Sequence, residues 1–207
     1  MQSQDSVVKI YDRWGKIYDI IFKWIFSEGR DVGVEMLDLK PGETLLEVGV
    51  GTGLSIPLYP RYSKISGIDI SPKMLEKALE KVAEYRLTNI ELDVMDAQKM
   101  DYPDNSFDCV TACYVVSAAP DPLKVVSEIC RVWKPGGRIV FINHFKSHNR
   151  LLAAFETLIN GVCKKFGWET TLDLDALLEA TNLSPRATEK VNLFDYWRAV
   201  LCINPEK

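Results

Sequence analysis

The feature that most restricts this chain is an alternation. Between residues 44 and 143, five short apolar runs recur: TLLEVGVG (44–51), YSKISGIDI (62–70), NIELDVMD (89–96), FDCVTACYVV (107–116) and RIVFIN (138–143). Helical patterns separate several of them. SPKMLEKALEKVAEY (71–85) has Ser71 as N-cap, Pro72 in the first turn, and Met74, Leu75, Ala78, Leu79 and Val82 at helical spacing. PLKVVSEICRVW (122–133) predicts a helix stopped by Pro135, Gly136 and Gly137. Apolar strands alternating with helices predict a parallel sheet covered on both faces. Further helices are expected at 150–166 and 173–181. RATEKVNLF (186–194) and WRAVLCIN (197–204) read as two strands with no room for a helix between them, so they pair antiparallel. The expectation is an α/β fold with a mostly parallel seven-stranded sheet, a C-terminal antiparallel hairpin and an N-terminal helical cap. Residues 1–38 form the cap and 39–207 the main domain. A ligand of such a sheet sits at the carboxyl ends of the strands, at the topological switch point.

Composition narrows the function classes. A length of 207 residues suits one domain with a sizeable core. A net charge of −4 argues against a general nucleic-acid binder. The five cysteines (Cys109, Cys113, Cys130, Cys163, Cys202) form no CxxC pair, which argues against a disulfide framework and a structural zinc site. No metal is expected. The N-terminal stretch lacks a basic-then-apolar signal layout, and Asp19 and Lys23 interrupt the best apolar run, so no membrane span is expected.

The first run leads into glycines: Glu47-x-Gly49-x-Gly51-x-Gly53. The bland reading is a tight strand-to-helix turn. The dinucleotide fingerprint needs a third glycine where Leu54 stands, and no Lys-Ser/Thr pair follows for a phosphate-binding P-loop. Glu47 is a poor neighbour for pyrophosphate and suits a ligand with positive charge. Asp69 ends the second run, where a carboxylate can accept ribose hydroxyls. Asp96, before Ala97, can accept from an adenine amino group or serve as a turn residue. A cation, a ribose and an adenine without phosphates describe S-adenosylmethionine.

The glycine motif, Asp69 with Ser71 and Met74, Asp96-Ala97, FDCV (107–110) and RVWKPGGRIVFIN (131–143) resemble the class I S-adenosylmethionine-dependent methyltransferases, a Rossmann-like fold. The resemblance covers roughly residues 40–145 and, more loosely, the closing hairpin. It implies that Glu47 and the loop of Gly49, Gly51 and Gly53 hold the methionine end of the cofactor. Asp69 takes the ribose hydroxyls, with Ile70 and Met74 packing near the ribose and adenine. Asp96 and Ala97 read the adenine, and Cys113 and Tyr114 lie beside the methyl donor.

The acceptor is written outside the sheet, in the N-terminal cap and the loops after strands four and five. YDRWGKIYDIIFKWIFSEGR (11–30), YVVSAAPDP (114–122) and INHF (142–145) are similar to the small bacterial phospholipid N-methyltransferases. These methylate phosphatidylethanolamine towards phosphatidylcholine. Many members carry Arg where Lys146 stands. The resemblance implies cofactor contacts for Tyr18 and Arg30, although Arg30 also reads as a solvated helix end. Tyr11, Tyr18 and His144 are candidates to position or deprotonate the amine; Tyr11 reads equally as core packing and His144 as a polar loop residue. His144, Lys146 and Arg150, with Tyr11, are candidate substrate contacts, and His148 a weaker one; the bland reading is a solvated loop. Two alternatives stay open: a C-methyltransferase of quinone biosynthesis, and a cofactor-binding module without turnover.

The cap itself suggests a partner. On a helix, Tyr11, Trp14, Tyr18, Ile21, Phe22 and Ile25 share one face, while Ile20, Trp24 and Phe26 fall outside it. Lys9, Lys16, Lys23 and Arg30 recur every seven residues. Aromatic side chains insert at membrane interfaces and lysines meet anionic headgroups. Residues 5–30 are therefore expected to dock the protein reversibly on anionic membranes, which makes it cytoplasmic and peripheral on the inner face of the cell membrane.

Overall fold

In the computed structural model, residues 26–147, 150–163, 170–192 and 196–204 are described. Strands form where the apolar runs lie: β1 (Thr44–Val48), β2 (Lys64–Asp69), β3 (Ile90–Val94), β4 (Phe107–Cys113), β5 (Trp133–His144), β6 (Pro185–Val191) and β7 (Trp197–Ile203). The helices are α1 (Ser27–Leu37), α2 (Pro72–Glu84), α3 (Pro122–Val132), α4 (Arg150–Cys163) and α5 (Leu174–Ala180). Three helices start on a side-chain cap that satisfies a free backbone N–H. Ser71 Oγ accepts from Met74 N at 3.3 Å, Asp121 Oδ1 from Lys124 N at 3.1 Å, and Asp173 Oδ1 from Ala176 N at 3.2 Å.

The sheet order is β3-β2-β1-β4-β5-β7-β6. Strands β1 to β5 pair in parallel, and β7 runs antiparallel to both β5 and β6. This is the expected mostly parallel seven-stranded sheet with its C-terminal antiparallel hairpin. Strand order reverses between β1 and β4, so a crevice opens beyond their carboxyl ends.

Alternate residues of each strand face opposite layers. Leu46 and Val48 of β1 and Ile139 and Phe141 of β5 pack against Val125, Val126 and Ile129 of α3 and Leu174, Leu177 and Leu178 of α5. Leu45, Val140, Ile142 and Ala199 face the other way, onto Leu37 of α1. Gly33 lets α1 approach β5 closely: a Cβ there would lie 2.6 Å from Ile142 Cδ1. Fully burying one such aliphatic side chain contributes about 1.5–3 kcal/mol, while an exposed ion pair contributes about 0–1. The two apolar layers therefore hold the sheet.

Three boundaries differ from expectation for local reasons. Strand β1 ends at Val48 rather than running to 51, because Gly49 turns at φ +72° and its N–H, with that of Val50, bonds to Ile68 O. Strand β4 ends at Cys113 rather than 116, because Tyr114 adopts φ +62° and a 3₁₀ turn follows at Val116–Ala118. The Pro-Gly-Gly stretch does not separate helix from strand. It is a bulge inside β5: Phe107 pairs with Trp133, but Cys109 pairs with Arg138.

Residues 1–25 of the expected cap lie outside the described residues. Among the described residues, no helix is long and apolar enough to cross a membrane.

Candidate active site

The crevice at the carboxyl ends of β1, β2 and β4 gathers side chains from distant parts of the chain. Arg30, Glu47, Gly49, Gly51, Asp69, Ile70, Met74, Asp96, Ala97, Cys113 and Tyr114 all line it. Gly53 does not. It sits behind the loop, where a Cβ would lie 2.7 Å from Ile56 Cδ1 and 3.0 Å from Ala78 Cβ. Its φ of +75° makes glycine necessary there. Gly53 thus lets the loop pack on α2 while Gly49 and Gly51 form the wall.

Glu47 carries the main electrostatic feature. It points to the α1 side of the sheet and is buried, with Oε2 lacking a hydrogen-bond partner among the described residues. Burial pushes its carboxyl up to about 7; the nearby Ser55 and Tyr59 hydroxyls and the Arg30 guanidinium oppose this. A buried carboxylate with an orphan oxygen in a crevice wall suits a ligand ammonium, which would restore both charge and hydrogen bond. Arg30, also buried, provides a cation on the same side for a ligand carboxylate.

Asp69 is fixed by the backbone. Its Oδ2 accepts from Gly51 N at 2.9 Å and its Oδ1 from Ser71 N at 2.8 Å. Burial raises its pKa, and these N–H groups oppose the rise. The two bonds hold the glycine loop, the end of β2 and the start of α2 together. Asp96 serves as the turn residue, its Oδ1 accepting from Gln98 N at 2.9 Å, and it also lines the crevice. Carboxylates of Glu47, Asp69 and Asp96 and the Arg30 guanidinium are thus set along one crevice.

The second part of the site lies at the ends of β4, β5 and β7. His144 is buried and stacks on Tyr196, with ring centroids 4.5 Å apart and planes 6° apart. Its Nδ1 lies 3.1 Å from Tyr196 O; a carbonyl can only accept, so Nδ1 carries a hydrogen. Its Nε2 lies 3.7 Å from Oε1 of Glu156. Glu156 is fully buried and accepts from Tyr196 Oη and Ser147 N, both at 2.9 Å. Rings link this cluster to the crevice: Phe26 packs on Tyr114 at 4.7 Å and on Trp197 at 5.0 Å, and His144 meets Trp197 at 6.2 Å. His144 is therefore set back from the crevice lining. Lys146 is exposed in a separate depression with Asp173, Asp175 and Glu179. Arg150 opens α4, but its side chain, like Tyr11, Tyr18 and His148, lies outside the described residues.

Phe26 corrects one expectation. It is buried between Tyr114 and Trp197 rather than presented for membrane insertion, because it begins the turn that leads into α1. Sequence reading missed Ser55, Tyr59, Glu156, Asn192 and Tyr196. A Ser eight residues after Glu47 carries no motif. Asn192 and Glu156 gain meaning only from partners far along the chain.

The chain matches the methyltransferase domain family over residues 46–141. It is 40% identical over 183 residues to the phosphatidylethanolamine N-methyltransferase of Cereibacter sphaeroides, covering 88% of this chain and 87% of that protein. The chain belongs to the class I S-adenosylmethionine-dependent methyltransferases. It is also 36% identical over 141 residues to a demethylmenaquinone methyltransferase of Shouchella clausii, covering 66% of this chain and 60% of that protein. In fold it matches Haemonchus contortus phosphoethanolamine N-methyltransferase 2, solved with phosphomonomethylethanolamine and S-adenosylhomocysteine. That match has a TM-score of 0.77 at 18% identity and covers all of this chain and 61% of that one.

Proposed function

We propose that this methyltransferase N-methylates phosphatidylethanolamine and its methylated intermediates towards phosphatidylcholine. The observation that carries the reading is the 40% identity to the Cereibacter sphaeroides enzyme. An alignment of 183 residues in a chain of 207 necessarily takes in the loops after β4 and β5. Those loops choose the acceptor, so the likeness is not confined to cofactor binding.

Bound S-adenosylmethionine supplies a methyl group on a cationic sulfur. The protein's part is to hold it and to bring up a neutral amine in line. Glu47 and Arg30 take the amino and carboxylate ends of the methionine, Asp69 the ribose, and Asp96 with Ala97 the adenine. Ile70 and Met74 pack the adenosine, and Cys113 and Tyr114 flank the donor. Tyr18 adds a cofactor contact. The ethanolamine ammonium must lose its proton first, and Tyr11, Tyr18 and His144 are the groups we assign to the amine. His144, Lys146 and Arg150 serve the headgroup phosphate. Residues 5–25, with Trp24, dock the enzyme reversibly on anionic membranes. Co-sedimentation with anionic vesicles should weaken in Trp24→Ala and in an N-terminal truncation, and equal sedimentation would make the segment only a cap.

A second reading, C-methylation of a quinone precursor, is favoured by the demethylmenaquinone methyltransferase match. One assay separates them. The protein is incubated with labelled S-adenosylmethionine and, in turn, ethanolamine-phospholipid vesicles, a quinone precursor and free ethanolamine, and products are identified by mass spectrometry. Label in the lipid headgroup supports the proposal, and a C-methylated quinone overturns it.

A further inference from the structure

The turn between β6 and β7 reaches the root of the N-terminal segment and the wall of the crevice at once. Asn192 is buried in that turn, with left-handed backbone at φ +64°. Its Oδ1 accepts from Gly29 N at 2.9 Å. Its Nδ2 donates to Tyr114 Oη at 3.0 Å, and its own N–H donates to Glu28 Oε2 at 2.8 Å. Tyr114 Oη in turn donates to Phe26 O at 3.3 Å. Burial raises the Tyr114 pKa, so the hydroxyl keeps its proton for that bond.

The fit leaves no slack. A Cβ at Gly29 would lie 2.3 Å from Tyr114 Oη and 2.9 Å from Asn192 Oδ1. Tyr114 itself is left-handed, at φ +62°, where a bulky side chain is unfavourable. Asn192 adopts that region readily, but a tyrosine there, in the crevice lining, persists only where surroundings over-determine it, and such strain gathers at functional sites.

We infer that Asn192 is a positioning residue for methyl transfer, latching Tyr114 and the first turn of α1 into one arrangement. The adenosine end is held elsewhere, by Asp69 and Asp96, so the latch acts on the acceptor end of the crevice. The inference rests on the methyltransferase reading, and its lipid assay on the phospholipid acceptor.

Two variants dissect it. Asn192→Gly keeps the left-handed backbone and removes both arms. Asn192→Asp tolerates that backbone, keeps the acceptor for Gly29 and loses the donor to Tyr114. With ethanolamine-phospholipid vesicles, both should lower kcat about tenfold, since small misplacements at a reacting centre are costly. Affinity for S-adenosylhomocysteine should stay within about twofold in Asn192→Asp, which keeps the Gly29 acceptor and with it the turn that carries Arg30. Amide exchange in the first turn of α1 should accelerate in Asn192→Gly and not in Asn192→Asp. Tyr114→Phe combined with Asn192→Asp should be no worse than the poorer single variant. Unchanged kcat, additive losses, or product affinity falling in step with kcat in Asn192→Asp would overturn the latch. If the wild type transfers no methyl to these vesicles, the acceptor reading fails. The latch is then decided by exchange and product affinity, and unaltered exchange in Asn192→Gly refutes it.

Discussion

The two ends of the crevice are made from different kinds of contact. At the cofactor end, Asp69 finds its partners 18 and 2 residues away, in Gly51 and Ser71. At the Tyr114 end and in the cluster set back from it, Asn192 bonds to Gly29 across 163 residues, Tyr196 to Glu156 across 40, and Tyr114 to Phe26 across 88. One end is a set of strand-end motifs that each βα unit carries in itself. The other exists only after α1, α4 and the hairpin have docked. Damage to the first should therefore cost ligand affinity with little stability, and damage to the second should cost stability or turnover with little cofactor affinity.

The largest effect is expected at Glu156. Replacing it with Ala strands two donors, Ser147 N and Tyr196 Oη, beside a buried His144. An unsatisfied buried group costs about 1–3 kcal/mol and these two donors are half-buried, so urea unfolding should show a loss of roughly 2–3 kcal/mol. Affinity for S-adenosylmethionine by calorimetry should barely change. A loss of cofactor affinity as large as the loss of stability would break the comparison.

Next in size is a pH effect at the cofactor end. The Glu47 carboxyl lies at about 7 in the ligand-free protein, so it is largely protonated at pH 5. A ligand ammonium needs the ionised form. Affinity for S-adenosylmethionine should therefore rise with pH from 5 to 7 by up to about a hundredfold, a tenfold change per unit, and level off above. Stability of the ligand-free fold runs the opposite way. A carboxyl raised on folding contributes stability below its ordinary value of 4.5, and this is lost as pH climbs through about 7. Glu47→Gln should flatten the calorimetric profile; a slope that survives would place the ammonium elsewhere.

Asp69→Ala should weaken cofactor binding by roughly 1.5–3 kcal/mol, the scale of hydrogen bonds to a charged group. Part of the loss comes through the loop, since Gly51 and Ser71 lose their shared acceptor. Calorimetry with S-adenosylhomocysteine checks it, and unchanged affinity would remove Asp69 from the site.

This division also explains what the sequence disclosed. The alternation exposed the sheet because parallel strands are buried on both faces and read as apolar runs. Glu47, Asp69 and Asp96 were legible because each stands at or just past a strand end, beside a glycine loop, an N-cap or a turn. Cys113 and Tyr114 followed only from the resemblance to the methyltransferases. The bulge in β5 was not legible, since Pro-Gly-Gly signals a turn whenever its partner strand is unknown; here Asn204 receives Gly136 N at 3.0 Å. Asn192 fell inside the strand expected at 186–194, and Glu156 inside the helix expected at 150–166, with nothing to set either apart. Their partners come from other elements, which no local pattern reveals.

The smallest effect tests the outer rim. Lys146 is exposed and shares its depression with Asp173, Asp175 and Glu179, so it stands apart from the crevice. If it serves a lipid phosphate, it does so in water, where one lysine near an anionic surface contributes about 1 kcal/mol. The neighbouring carboxylates reduce that further. Lys146→Ala should then raise KM for ethanolamine-phospholipid vesicles by about two- to fivefold at low salt, with kcat and cofactor affinity unchanged. The difference should vanish near 1 M salt, where the screening length is about 3 Å. His144→Ala added to it should raise KM much further, because that ring is buried against Tyr196 and Trp197 and not in open solvent. A double variant with normal turnover would move headgroup recognition away from the loop after β5, leaving the N-terminal segment to supply it.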